Sequence, residues 1–229
     1  MSKARWISWC LLGMMSRYLF IYVVARDFGF APNPYHGLCT LATCVPRIRS
    51  KAQIGDWVMG VGGSRLKATG KSVYLMRVSE TLTFNSYWTD TRFIRKKPAR
   101  NGSLMMMVGD NVYHQEISSE TWIQSDSHHS NLDGTTNHNN LKTDTSSDKV
   151  LVSDHFYYFG KSALDVDLAS IGYKNHRGHS KKDLCDERIT DFIDGIERHH
   201  KKELNLVLDD PFDFLAASKR VDQTTGKIT

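Results

Sequence analysis

The sequence predicts an α+β fold: a mixed or antiparallel β-sheet, with the option of curling into a barrel, and a helix near the C-terminus. Three observations carry this. Short runs rich in β-branched and aromatic residues recur along the chain. No long amphipathic helix separates them. One run after residue 180 carries apolar residues at helical spacing.

Residues 19–25 are apolar, β-branched and aromatic, too short for a helix, and read as a central strand. A second strand is expected over 54–61, started by Gly55 and Asp56 and closed by Gly60, Gly62 and Gly63. A third spans 72–78. Residues 104–108 with 111–114 suggest a fourth, broken at Gly109 and Asp110, and 149–153 with 156–159 a fifth, ending at Gly160. Ser180 with Asp183 forms a capping-box pattern, after which Leu184, Ile189, Phe192, Ile193 and Ile196 share one helix face. His199, His200, Lys201 and Lys202 follow where the helix dipole favours cations.

A chain of 229 residues can bury the core of one domain. The expected organisation is an N-terminal extension over 1–14, a single domain over 15–215 and a flexible polar tail over 216–229. Residues 6–25 imitate a membrane anchor, but Arg17 lies near their middle, where a cation costs about 2.5–3.5 kcal/mol. No small-x-small cleavage site follows 6–15, and Met14 or Met15 would serve as the natural start. No membrane association is therefore expected. Cys10, Cys39, Cys44 and Cys185 are too widely spaced for a disulfide scaffold, which points to the cytoplasm. Apolar residues at 40%, charged residues at 24% and a net charge of +5 describe a globular protein that tolerates a polyanion partner without demanding one.

Two segments are dense in chemistry and poor in regular structure. In 27–49, Gly29, Pro32, Asn33, Pro34 and Gly37 hold a bent path that carries His36, Cys39, Thr40 and Cys44. In 125–148, carboxylates, amides and imidazoles (Asp126, His128, His129, Asp133, Asn137, Asn140, Asp144) accumulate with almost nothing to fill a core. Such a set suits acid–base work or the reading of a base edge; the bland alternative is a solvated loop of Asx turns. Cys39 is the candidate nucleophile, although a free cysteine is commonly a buried small hydrophobe. A zinc site from His36, Cys39 and Cys44 with His128 or His129 lacks the usual Cys-x2-Cys pair, so no metal ligand is assigned and no cofactor is named. Arg92, Arg95, Lys96, Lys97 and Arg100 interleave with Tyr87, Trp88 and Phe93, a mixture suited to phosphates and stacked bases. No nucleotide-binding Gly-rich fingerprint is present.

Several ordered segments resemble one family: Tyr22 to Pro34, Cys39 to Cys44, Ile54 to Gly60, Tyr87 to Phe93, Gly109 to His114, Ser127 to Ser130 with Asp133 and Gly134, and Val150 to Gly160. Together they are similar to the nucleotide modification associated domain 2 family of bacteria and phages, from about Tyr18 to about Phe214. The resemblance implies a link to pathways that modify bases or nucleotides. It adds weight to Asp27, Asn33, Cys39, Thr40, Cys44, Asp56, Arg92, Asp110, Asn111, His129, Asp133 and Asp144, which lie in its motifs. The start of the 54–61 strand also resembles base-reading barrels of the PUA and EVE kind.

The combined expectation is a nucleotide or nucleic-acid base held between the 27–49 and 125–145 segments. Cys39 or Asp27 would react, and His129 or Asp133 would be the acid–base partner. Asn33, Thr40, Trp57, Trp88, Arg92, Arg95, Asn111 and Asp144 would bind substrate. The rivals are a non-catalytic reader of a modified base, with Trp57, Trp88, Tyr35 and Asn33 as its cage, and an interaction module of a defence or modification assembly.

Overall fold

The computed structural model describes residues 16–116, 118–174 and 178–229; the extension expected at 1–14 lies outside the described residues. In chain order the strands are β1 (Tyr18–Val24), β2 (Cys39–Leu41), β3 (Trp57–Gly62), β4 (Lys71–Arg77), β5 (Glu80–Leu82), β6 (Tyr113–Gln115), β7 (Trp122–Gln124), β8 (Val150–Ser153), β9 (His155–Tyr158), β10 (Leu164–Asp165) and β11 (His179–Asp183). The helices are α1 (Pro46–Arg49), α2 (Phe84–Thr89), α3 (Leu104–Met107), α4 (His138–Asp144) and α5 (Glu187–His199).

β1 sits inside the main sheet, antiparallel to β11 and parallel to β3. β3 pairs with β4, whose far edge takes β9 and β10. β2, β8 and β5 form a second antiparallel sheet, and β6 with β7 a hairpin. The fold is α+β, and its sheets are open rather than closed into the barrel considered above.

The parallel pairing of β1 with β3 has a consequence for function. Parallel neighbours need a long crossover connection. Here the crossover is the 27–49 segment with β2 and α1, so that chemically loaded stretch is laid across a face of the sheet. Phe20, Tyr22, Val58, Tyr74, Met76 and Tyr158 meet Cys39, Leu41, Ile48 and Ala52 of the crossover in one apolar layer. Leu19, Ile21, Trp57, Met59 and Tyr157 point the other way, against Ile189, Ile193 and Ile196 of α5. Burial on both sides explains why β1 is nearly continuously apolar. A third cluster holds Phe28, Phe30, Phe84, Tyr87, Phe93, Tyr113 and Val221.

Four local expectations are corrected. Residues 104–108 are not a strand: Ser103 caps α3 by accepting from the Met106 amide at 3.4 Å, and Leu and Met, with no branch at Cβ, favour a helix. The fifth strand is two strands in different sheets, β8 beside β2 and β5, and β9 beside β4. The capping box at Ser180 is an edge strand on β1; the helix starts later, where Asp186 accepts from the Arg188 amide at 3.0 Å. Within 216–229, expected to be a flexible tail, Ala217 and Val221 are buried in the third cluster.

Candidate active site

The crossover makes a strained turn just after β2. Cys44 has φ 59° and Val45 φ 33°, a left-handed backbone that is costly for any L side chain and most costly for a β-branched one. Local chemistry holds it there. Pro46 opens α1 and disfavours the right-handed conformation at Val45. The Cys44 amide donates to Asp144 Oδ1 at 2.7 Å, and Arg49 Nε donates to the Cys44 carbonyl at 2.9 Å. Arg49 is fully buried and also donates to the carbonyls of Asp144, Ser147 and Lys149. One guanidinium thus clamps the turn to the end of the 125–148 segment.

That segment is not a solvated loop. Asn137 caps α4 by accepting from the Asn140 amide at 3.0 Å, and His128, His129, Asn140 and Asp144 are buried. The last turn of α4 delivers Asp144 beneath His129. His129 Nδ1 lies 2.7 Å from Asp144 Oδ2, and His129 Nε2 lies 3.9 Å from Cys44 Sγ. Asp144 further accepts from the Tyr113 hydroxyl at 2.8 Å and from Gln223 Nε2 at 3.1 Å. An ionised carboxylate only accepts, so Nδ1 carries the proton bonded to Asp144, and Nε2 faces the thiol.

The electrostatics agree with this order. Burial opposes the charge on both partners. For His129, Asp144 and then Cys44 overcome it and raise the imidazole above its ordinary value. For Asp144, His129, Arg49 and the Cys44 amide overcome it and lower the carboxyl. Phe30 rests edge-on against His129 with ring centroids 4.6 Å apart.

Cys44 and His129 open on a cavity of about 300 Å³, the lower end of the range for small-molecule sites. Tyr22, Val24, Phe28, Phe30 and Val221 supply apolar wall, and Arg26, His128 and Gln223 supply polar groups.

Cys44, His129 and Asp144 also form a cluster whose ligand-type atoms lie within 4.8 Å of one another. For the pair His129 Nδ1 and Asp144 Oδ2, the spacing is that of a hydrogen bond rather than of two ligands on one ion. Two ligands about 2.0–2.2 Å from one tetrahedral ion stand about 3.3–3.5 Å apart, whereas His129 Nδ1 and Asp144 Oδ2 are 2.7 Å apart, the distance of a charge-assisted hydrogen bond.

The structure therefore brings together His129 and Asp144 from the expected site, with Cys44 in place of Cys39. Cys39 Sγ is in the core, 3.8 Å from Met76 Sδ, and burial pushes its thiol up to about 12. Asp27 is buried and pinned by the Tyr158 hydroxyl at 2.6 Å and the Phe212 amide at 3.2 Å. Asp133 is exposed and bonds Thr135 in a turn. The zinc set is not assembled either: of its members, Cys44 and His129 meet, while Cys39 is in the core.

The expected binding residues are also spent elsewhere. Asn33 Nδ2 donates to the Val108 carbonyl at 2.8 Å, and Asn33 Oδ1 accepts from buried Lys96 at 2.8 Å. Thr40 and Tyr87 hydroxyls each donate to Asp110 at 2.7 Å. Asn111 donates to the Tyr87 carbonyl at 2.9 Å. These groups knit the crossover to residues 87–111. Trp57 is buried on the face under α5. Trp88 stacks on His114 with centroids 4.1 Å apart and lies under the Lys97 ammonium. Arg92 is neutralised by Glu80 and Asp90, and Arg95 is exposed. Gln223 escaped sequence reading because it lies in the tail, where no motif marks it.

A family model described as nucleotide modification associated domain 2 matches residues 15–218. No curated protein and no solved structure matches the chain.

Proposed function

We propose the following function for this chain, which belongs to the nucleotide modification associated domain 2 family: a cysteine-dependent enzyme that binds a nucleotide or nucleic-acid base and acts on it in a modification pathway. The observation that carries the proposal is His129, held by Asp144 on one ring nitrogen and facing the Cys44 thiol with the other.

In this reading Cys44 is the nucleophile, His129 the base and Asp144 the group that orients it. His129, its basicity raised by Asp144, already holds the proton drawn from the thiol as sulfur bonds to an electrophilic acyl or amidine carbon. The bond from that carbon to its leaving nitrogen or oxygen breaks, the leaving atom takes the electron pair, and His129 returns the proton to it. Water, or a second nucleophile deprotonated by His129, then attacks the carbon and releases sulfur as the thiol. The strained turn at Cys44 and Val45 supports the assignment, since backbone strain collects where a reactive group must be presented.

The test is alkylation by iodoacetamide at neutral pH with peptide mapping of Cys44. The expected rate falls about tenfold or more in His129→Ala. Equal rates in the two proteins would remove the relay. A reader without chemistry is the second reading. It is favoured by the aromatic wall of Phe28, Phe30 and His128, where ring centroids lie 4.2 Å and 5.3 Å apart. A Cys44→Ala protein that kept full cellular function would select it.

A further inference from the structure

We propose that Arg26 is the anion anchor of the cavity and seats a phosphate of a nucleotide whose remainder lies toward Cys44; this rests on the cysteine-enzyme reading above. Arg26 follows β1 and lines the same cavity as Cys44, His129 and Gln223. It is the one permanently charged side chain on that wall among the described residues. Its guanidinium is incompletely used: Nη2 donates to the Gly226 carbonyl, while the buried Nε has no hydrogen-bond partner among the described residues. A buried donor left without an acceptor is costly, and a guanidinium matches phosphate geometry with two parallel donors.

The surroundings add to this. Burial, then Arg65, make the charge on the Arg26 guanidinium less favourable without removing it, and Asp213 offsets only part of that. Asp213 is already engaged: its Oδ2 accepts from the Asp27 amide at 3.1 Å, and its Oδ1 lies 3.8 Å from Arg65. An anion at the cavity-facing side of Arg26 would offset the repulsion between the two guanidinium groups. The basic stretch over 92–100 does not compete for this role, because none of its residues lines this cavity; Arg92 is moreover closed by Glu80 and Asp90, and Arg100 donates to the carbonyls of Met107, Ala217 and Ser218. The apolar rings of Phe28 and Phe30 offer a base-stacking surface on the same wall.

The experiment measures protection of Cys44 from iodoacetamide. The probes are the four deoxynucleoside 5′-monophosphates, the matching nucleosides, a short single-stranded oligonucleotide and inorganic phosphate. Protection is expected from the monophosphates or the oligonucleotide, and which of the two protects identifies the phosphate source. Arg26→Gln should raise the half-protecting concentration about tenfold or more, and Arg26→Lys less. Melting temperatures check that the variants are folded. Nucleosides that protect as well as nucleotides, an unchanged half-protecting concentration in Arg26→Gln, or no protection by any phosphate-bearing probe would each overturn the anchor. The unliganded comparison with His129→Ala is read separately, so loss of the anchor and loss of the relay are distinguishable.

Discussion

Cys39 and Cys44 show how five positions along one segment separate a packing residue from a reactive one. Cys39 begins β2, and pairing with Ser153 of β8 turns its side chain into the core. Cys44 lies past the end of that strand, half-buried, where the chain has left the ladder. Both thiols stand out in the sequence as chemically notable, but nothing there marks β2, a three-residue strand, so the choice between them was not legible. Cys39→Ala is expected to lower stability by about 1–2 kcal/mol through lost core contacts, read as a lower melting temperature. It should leave Cys44 alkylation within about twofold, because no proton-transfer partner depends on Cys39. Loss of alkylation in that variant would return the reactive role to Cys39.

At the scale of elements, the site is a strained turn clamped to a short helix. Arg49 reaches four carbonyls, on Cys44, Asp144, Ser147 and Lys149, with a planar fork that an ammonium cannot reproduce. Arg49→Lys is therefore expected to cost about 2–4 kcal/mol, since buried acceptors lose their donors, and to slow Cys44 alkylation. Urea unfolding midpoints check the first part; an unmoved midpoint would show that the turn holds without the clamp. α4 was invisible to hydrophobic periodicity because its inward face is polar: Asn140 and Asp144 are buried by hydrogen bonding rather than by apolar packing. The strap over 219–223 was missed because Val221 is its one apolar residue, and the rest is held by hydrogen bonds. The Val221 amide donates to the His128 carbonyl at 2.9 Å, and the Gln223 amide donates to Asn140 Oδ1 at 2.8 Å.

Across the whole molecule, Asp27 ties the end of β1 to β9 and to residues 212–213. Burial raises its carboxyl from 3.8 to about 6 despite the Tyr158 hydroxyl. The folded protein then holds a proton that the unfolded chain has released. Stability from this group is full below the ordinary value of 3.8 and falls as pH rises toward about 6, by up to about 3 kcal/mol. Asp27→Asn is expected to flatten that part of the stability–pH curve, measured by denaturant titration across the same interval; an unchanged slope would place the proton on another group. The sequence by itself determined the fold class, the apolar strands of the main sheet, the two chemically loaded segments and the family, because period, turn residues and ordered motifs are local properties of the chain. Only the tertiary structure decided that Cys44 rather than Cys39 meets His129, that Asp144 orients it and that Gln223 and Arg26 share its cavity. The physical reason is the crossover between parallel strands: it lays 27–49 against 125–148, and burial and hydrogen bonding then select which of the many polar groups face the cavity.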